Sequence, residues 1–479
     1  MEGAQQSQLT APPRRSGGAG WASSALAVAL PLATGLALRL YMLHALFQVN
    51  GDMLIYGDLA KNLLLHGRFA LTGAGGELLP TLIRLPGYPL FLGLCFKVFG
   101  MENYLAAMWV QVALDLAACL LLAGFARRMV APAHARFAGP ATLWLACLCP
   151  FTASYTAFPL AETTSVFALA LALWAMARFG QRPGWTSALC FTFAVTFAAL
   201  LRPDGVLAAA ALAPALMLAA FREGKPGAIP ARKLLRMAAV CVLLALAPFA
   251  LWTARNWRVF HVFEPLAPQS AVDPSEPTTP GFDRWVKTWC LDFISTDEIW
   301  WNVPDDKLDV SELPSRAFDS AAQYEETVAL VRAYEANGEE ISSRIDAGFA
   351  RLAAERISAR PLRYYLWLPL GRVADMWLRP RVENLNIDLD WWVYAHHHAE
   401  TEFSWFYAAL NAFYLLLGVA GILLRPRFWG ALLIYVLLRS ALLLTIAAPE
   451  ARYTLECFPM LIAAGGVALC RLRAVVKSM

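Results

Sequence analysis

A carboxylate and a guanidinium placed where a bilayer meets water can together run a group transfer. The acid takes a proton from an incoming nucleophile, and the cation holds a departing anion. The sequence sets several such groups at the ends of apolar runs. Asp52 opens the stretch Asp52-Met-Leu-Ile-Tyr56-Gly-Asp58-Leu-Ala60-Lys61-Asn62, in which Asp52, Tyr56, Ala60 and Leu63 share one helical face at steps of three and four. An N-cap is the plainer account of such an Asp. Arg84 precedes Leu-Pro86-Gly87-Tyr88-Pro89, a rigid turn. That turn would hold a planar fork of donors suited to a phosphate, although a snorkelling Arg beside a structural turn accounts for it too. Glu162 follows Phe158-Pro159-Leu-Ala at the edge of another run, where a carboxylate is a functional candidate or a favourable charge on a helix start. Arg202-Pro203-Asp204, Trp252-Thr-Ala-Arg255-Asn256-Trp257 and Pro449-Glu450-Ala-Arg452-Tyr453 mark three more such edges.

The elements that must position these groups are membrane spans. Of the 479 residues 58% are hydrophobic and 16% charged, against roughly 25% charged in an average soluble domain, and the mean hydropathy is +0.49. A soluble globule of this size cannot hide that much apolar surface. A net charge of +4 is too small for a phosphate-backbone footprint, so no nucleic acid is expected as a partner. Crossings of about 20 apolar residues are expected near 24–46, 104–125, 138–157, 162–178, 184–201, 205–221, 234–254, 405–424, 428–447 and 454–472. Residues 86–100 read as a partial or re-entrant segment, because a full crossing there would break the parity of 104–125. Residues 361–378 carry Arg363, Arg372 and Asp375 and read as an interfacial helix.

Basic clusters at Arg14/Arg15, Arg127/Arg128/Arg136, Arg178/Arg182, Arg222 to Arg236, Arg425/Arg427 and Arg471/Arg473/Lys477 set the cytoplasmic face by the positive-inside rule. Both termini are then cytoplasmic. The organisation expected is a disordered N-terminus over 1–20, a transmembrane catalytic module over 21–256 with outer loop 47–85, an extracytoplasmic domain over 257–404, and C-terminal helices over 405–479. Helical spacing over 318–360 predicts helices within that domain, and Trp285, Trp289, Trp300, Trp301, Trp377, Trp391 and Trp392 suit a cap lying on headgroups. Four segments then put arginines on the outer face, against the charge trend and on the side of Asp52 and Glu162. That pattern suggests an anionic ligand at the outer leaflet.

Other features carry less. The nine cysteines read as small buried hydrophobes without zinc spacing. His396-His397-His398 cannot all reach one ion from regular structure, and Asp305, Asp306 and Asp309 lack the glycine and terminal Glu of a calcium loop, so no metal site is expected.

In order along the chain, these motifs resemble the GT-C membrane glycosyltransferases, in the branch of protein O-mannosyltransferases and bacterial aminoarabinose transferases of lipid A (family 39-like). The resemblance rests on Asp52-x-x-x-Tyr56-x-x-x-Ala60-Lys61, Arg84-x-Pro-Gly-Tyr88-Pro, Pro159-Leu-Ala-Glu162, Leu-Arg202-Pro203, Arg255-Asn256 and Pro-Glu450-x-Arg452-Tyr453. It implies an all-α bundle of about 10–12 transmembrane helices with a mainly helical outer domain. It also implies inverting sugar transfer from a polyprenyl-phosphate donor to a lipid, glycan or protein acceptor. Asp52 takes the place of the family's general base or acceptor-positioning acid, and Glu162 that of its second acid. Arg84 takes that of the phosphate ligand, with Arg255 and Arg452 as further phosphate ligands. Tyr56, Lys61, Tyr88, Arg202, Asn256 and Tyr453 complete the expected substrate-binding set. Many relatives carry an acid directly after the catalytic Asp, where this chain has Met53; Asp58 is a backup acid. No cofactor is expected, and the carboxylate pair predicts metal independence. The site is expected at the extracytoplasmic face of a bacterial inner membrane. A transporter or lipid flippase is the alternative, although no internal repeat is visible. An assembly or sensor protein would leave the outer arginines without a role.

Overall fold

The computed structural model describes residues 17–220, 230–268, 278–304, 306–385, 387–389 and 397–476. The chain starts with α1 (Gly17–Leu46), α2 (Asp52–His66) and an antiparallel hairpin of β1 (Ala70–Thr72) and β2 (Leu78–Pro80), in which Leu71 faces Leu79. There follow α3 (Gly87–Phe99), α4 (Tyr104–Met129), α5 (Pro132–Cys147), α6 (Pro150–Ser154), α7 (Glu162–Gln181), α8 (Trp185–Leu201), α9 (Val206–Ala220) and α10 (Ala231–Phe260). The second polar segment contributes α11 (Pro280–Lys287), α12 (Ala321–Ala336), α13 (Ser343–Ala359) and α14 (Leu368–Leu378). Helices α15 (His398–Leu423), α16 (Trp429–Leu443) and α17 (Phe458–Val476) close the chain.

This is an all-α, multi-pass membrane protein. Among the described residues, six helices are long and apolar enough to cross a bilayer: α1, α4, α7, α10, α15, and α17 with the turn before it. The pair α5–α6 makes a seventh crossing if taken as one bent span. Helices α3, α8, α9 and α16 are shorter apolar helices. The 13 residues of α3 reach about 20 Å, short of the roughly 30 Å hydrocarbon core, as suits a partial segment. Of the segment 1–20 read as disordered, residues 17–20 already belong to α1, and 1–16 lie outside the described residues.

The run 138–157 is not one straight helix. It bends by 49° between α5 and α6, where Pro150 cannot continue the hydrogen-bond ladder. The carbonyls freed at such a break need donors inside the membrane, and Arg39 of α1 supplies them. Its Nη1 donates to Cys147 O at 2.7 Å and its Nη2 to Ala146 O at 3.3 Å. Its Nε donates to Asp115 Oδ2 of α4 at 2.7 Å, and both side chains are buried. Arg39→Leu would strand the Asp115 charge and the two carbonyls. The expected destabilisation is about 3–5 kcal/mol, read as a lower thermal unfolding midpoint in detergent, with Arg39→Leu/Asp115→Leu recovering part of it. An unchanged midpoint would show that the break does not depend on this pair.

Helices occupy 318–360 as expected, capped by Ser320 and Ser342 hydroxyls that accept from Gln323 N and Ile345 N. The tryptophans correct the picture of a cap lying on headgroups. Trp285 and Trp289 are buried in a core with Phe282, Phe349 and Leu352, so they hold α11 on α13. Trp301 is 48% exposed, and Trp391 and Trp392 lie outside the described residues. The arginines of 361–378 face protein rather than lipid headgroups. Arg363 makes a fork on Asp319 at 2.5 and 2.7 Å, and Arg372 donates to Cys290 O and Lys287 O. On its far side α14 meets the bundle through Trp377 Nε1 to Ser440 Oγ and Thr454 Oγ1 to Met376 O. Helix α14 therefore carries the residues after it to the end of the bundle where the charged groups gather.

Candidate active site at one end of the bundle

Asp52 is the first residue of α2, and its side chain makes no capping bond; Gly51 holds the cap position, also without one. The carboxylate instead receives two guanidinium groups. Arg84 Nη2 donates to Oδ1 at 2.5 Å, and Arg452 Nη2 to Oδ2 at 3.4 Å. Burial alone would raise the Asp52 carboxyl, but Arg84 and then Arg452 outweigh it and hold the group below its usual range. An N-cap does not explain this placement, whereas a charged centre does. Arg84 also lies 5.7 Å over the Tyr56 ring, and Tyr56 meets Tyr88 edge to face at 5.0 Å.

The Arg84 turn is fixed by contact with α8. A Cβ on Gly87 would come within 2.5 Å of Leu200 O, so only glycine lets α3 start against the end of α8. That contact sets Arg84 beside the Arg202 turn. Arg202 Nη1 lies 3.3 Å from Glu162 Oε1, and its Nε lies 3.4 Å from Asp204 Oδ1 and 3.2 Å from Glu456 Oε1. Arg439 of α16 pairs with Asp204 and, at 2.8 Å, with Glu456 Oε2, and it donates twice to Tyr453 O. The Tyr453 ring joins the two halves of the cluster, with Arg202 at 5.3 Å and Arg452 at 5.6 Å from its centroid. Arg452 is held in turn by Glu450 at 2.5 Å.

Seven of the sequence candidates thus come together: Asp52, Tyr56, Arg84, Glu162, Arg202, Arg452 and, between the two halves, Tyr453. Others stand apart. Tyr88 is fully buried, and its Oη donates to Gln111 Oε1 at 3.0 Å while Gln111 Nε2 donates to Phe158 O at 2.8 Å. It braces the loop that leads to Glu162. Lys61 bridges Asp58 and Glu102. Asp58, the backup acid, accepts from Thr72 N and Thr72 Oγ1 and pins the hairpin to α2. Arg255 donates to Thr81 O at 3.0 Å and Phe69 O at 2.6 Å, between the Trp252 and Phe260 rings. Asn256 is buried and donates to Glu264 O. Arg255 therefore ties the flanks of the β1–β2 hairpin to α10, and Asn256 ties the segment after α10 to that helix. His397 alone, with Glu400 at 3.4 Å and Asp388, brings ligand-type atoms within 4.8 Å of one another. His396 lies outside the described residues.

Arg439 and Glu456 belong to the cluster although the motif reading passed over both. A charged residue inside an apolar run was the available signal. A mainly apolar cavity of about 410 Å³ opens between α8 and α10, with Phe193, Phe197, Leu200, Leu244 and Thr192 among its lining. It ends two residues before Arg202. A second, of about 180 Å³, shares Thr192 with it and continues towards Phe179 and Met237.

No family model and no curated protein matches this chain. Solved structures do match it. ArnT from Cupriavidus metallidurans in the apo state is 15% identical, with a TM-score of 0.37, over 95% of this chain and 77% of that one. The same protein bound to undecaprenyl phosphate is 15% identical, with a TM-score of 0.36, over 96% and 80%. The archaeal oligosaccharyltransferase AglB from Archaeoglobus fulgidus, in complex with an inhibitory peptide and a dolichol-phosphate, is 13% identical, with a TM-score of 0.43. There the match covers 96% of this chain and 52% of that one. This chain is similar to these proteins along nearly its whole length.

Proposed function

We propose that this protein is an inverting glycosyltransferase. It moves a sugar from a polyprenyl-phosphate donor to an acceptor at the extracytoplasmic face of a bacterial inner membrane. The observation that carries the reading is Asp52 held between Arg84 and Arg452, with the Glu162–Arg202 pair joined to Arg452 through the Tyr453 ring. The acceptor hydroxyl oxygen attacks the anomeric carbon and forms the new glycosidic bond. The bond from that carbon to the phosphate oxygen breaks, and the electron pair leaves with the polyprenyl phosphate, which the arginines hold. The acceptor's proton goes to Asp52. Because the incoming phosphate competes for Arg84 and Arg452, its binding releases the carboxylate that must take that proton. The mainly apolar cavity between α8 and α10 suits the polyprenyl chain, since it ends near Arg202. The charged groups stand at the bundle end opposite the basic clusters near Arg128, Arg178 and Arg427, which supports an extracytoplasmic site.

The test is transfer by purified protein in nanodiscs, using the lipid-linked sugar that accumulates when the gene is removed from its host. Consumption of that lipid, with release of polyprenyl phosphate, is the expected result. The chemistry asks only for a base and for cations, so an excess of chelator should leave the rate unchanged. Loss of transfer on chelation would overturn metal independence. If no lipid-linked sugar accumulates and none is consumed, the transferase reading fails.

A further inference from the structure

Three buried oxygens beside the arginine cluster make no hydrogen bond of good geometry among the described residues: Glu162 Oε2, Glu383 Oε2 and Tyr155 Oη, the last with the Asn384 side chain as its polar neighbour. Glu162 is 2% exposed and Tyr155 4%. They come from three places in the chain: the first residue of α7, the short helical turn Tyr155–Ala157 after α6, and the link that follows α14. Buried polar atoms without partners are rare and call for an explanation. Tyr155 lies within electrostatic reach of Glu383, Glu162 and Arg452, so the three oxygens border the reaction centre. Tyr155 and Glu383 line a cavity of about 10 Å³ with Ser154, Arg381, Asn384 and Tyr407. That space admits a single water-sized group. Its wall is rigid. Arg381 donates to Ala451 O at 2.8 Å, to Asn411 Oδ1 at 3.2 Å and to Thr454 Oγ1, and it lies 4.8 Å over the Phe458 ring.

The chemistry of the lining narrows the guest. A cavity of about 10 Å³ is too small for a phosphate, and an alkyl group would leave the oxygens unpaired. A hydroxyl donates to Glu383 and accepts from the Tyr155 O–H at once, which a protonated amine cannot do. We propose that the notch between Tyr155 and Glu383 is a subsite for one hydroxyl group of the transferred sugar, and so helps decide which sugar is used. The proposal rests on the transferase reading and extends the site towards the residues that follow the outer segment.

The experiment measures binding to the full-length protein in nanodiscs. The probes are bare undecaprenyl phosphate and undecaprenyl phosphate carrying mannose, glucose, galactose or arabinose. Wild type should bind at least one sugar-bearing lipid about tenfold or more tightly than the bare lipid. Tyr155→Phe and Glu383→Gln should each erase most of that gain and leave the Kd for the bare lipid unchanged, which also shows that the variants are folded. The proposal is overturned if wild type shows no gain from any sugar, or if both variants keep it, as they would if the notch held only water. Failure of wild type to bind even the bare lipid is a different result, and it sinks the transferase reading itself.

Discussion

Asp52→Asn should cut kcat/KM for transfer by about 10²–10⁴-fold, the usual contribution of a positioned base, while the protein stays folded in the membrane. Asparagine keeps the shape of the side chain and can still accept from Arg84, so little packing is lost. What disappears is the negative charge and the ability to take a proton. The charge pattern adds a pH signature. In the free enzyme Arg84 and Arg452 hold the carboxyl below its ordinary range, so the base stays ionised at pH values where a free Asp, near 3.9, would begin to protonate. A base acts only when ionised, so activity falls as pH drops through its folded value. The acid limb of kcat/KM, which reports the free enzyme, is therefore expected below about 3.9. The acid limb of kcat reports the complex and should lie higher, because the bound phosphate has drawn the arginines away. Coincident limbs, or an Asp52→Asn variant with undiminished transfer, would remove Asp52 from the role of base.

The cluster was legible in the sequence where a charged residue stood at the edge of an apolar run. Asp52, Arg84, Glu162, Arg202 and Arg452 all have that signature, and all meet in space. Charges inside a run were harder to see, because hydropathy averaged over a window absorbs them. Arg439 and Glu456 were passed over in that way, as was the Arg39–Asp115 pair that satisfies the break after α5. Arg255 shows the opposite error. Its type and position matched a phosphate ligand, but backbone carbonyls on either side of the β1–β2 hairpin already take bonds from it, and no local pattern announces such bonds. Tyr155 and Glu383 carried no sequence signal. They matter because Tyr155 Oη and Glu383 Oε2 are buried without a hydrogen bond of good geometry among the described residues, which is a property of the packing.

Arg84→Ala should raise the KM for the lipid-linked sugar and lower kcat, with a joint loss in kcat/KM of about 10²–10³-fold. The arginines differ in how tightly they are already held. Arg439 is locked by Asp204, Glu456 and the Tyr453 carbonyl, and Arg202 touches three carboxylates. Arg452 has two, Glu450 and Asp52. Arg84 pairs with a single acid, Asp52, and otherwise donates to Ile83 O. It can therefore turn to a phosphate at the smallest loss of existing bonds, and its movement is also what frees Asp52. Arg84→Lys should recover only part of the loss, because an ammonium supplies the charge but not the two-pronged geometry. The affinity for the product, polyprenyl phosphate, should fall along with that for the donor, since both present the same phosphate. Arg255→Ala is the contrast: it should lower stability without selectively weakening the phosphate-bearing ligand. If Arg84→Ala leaves the donor KM and the product affinity unchanged while Arg452→Ala weakens both, the phosphate rests on Arg452, and Arg84 serves only to hold Asp52.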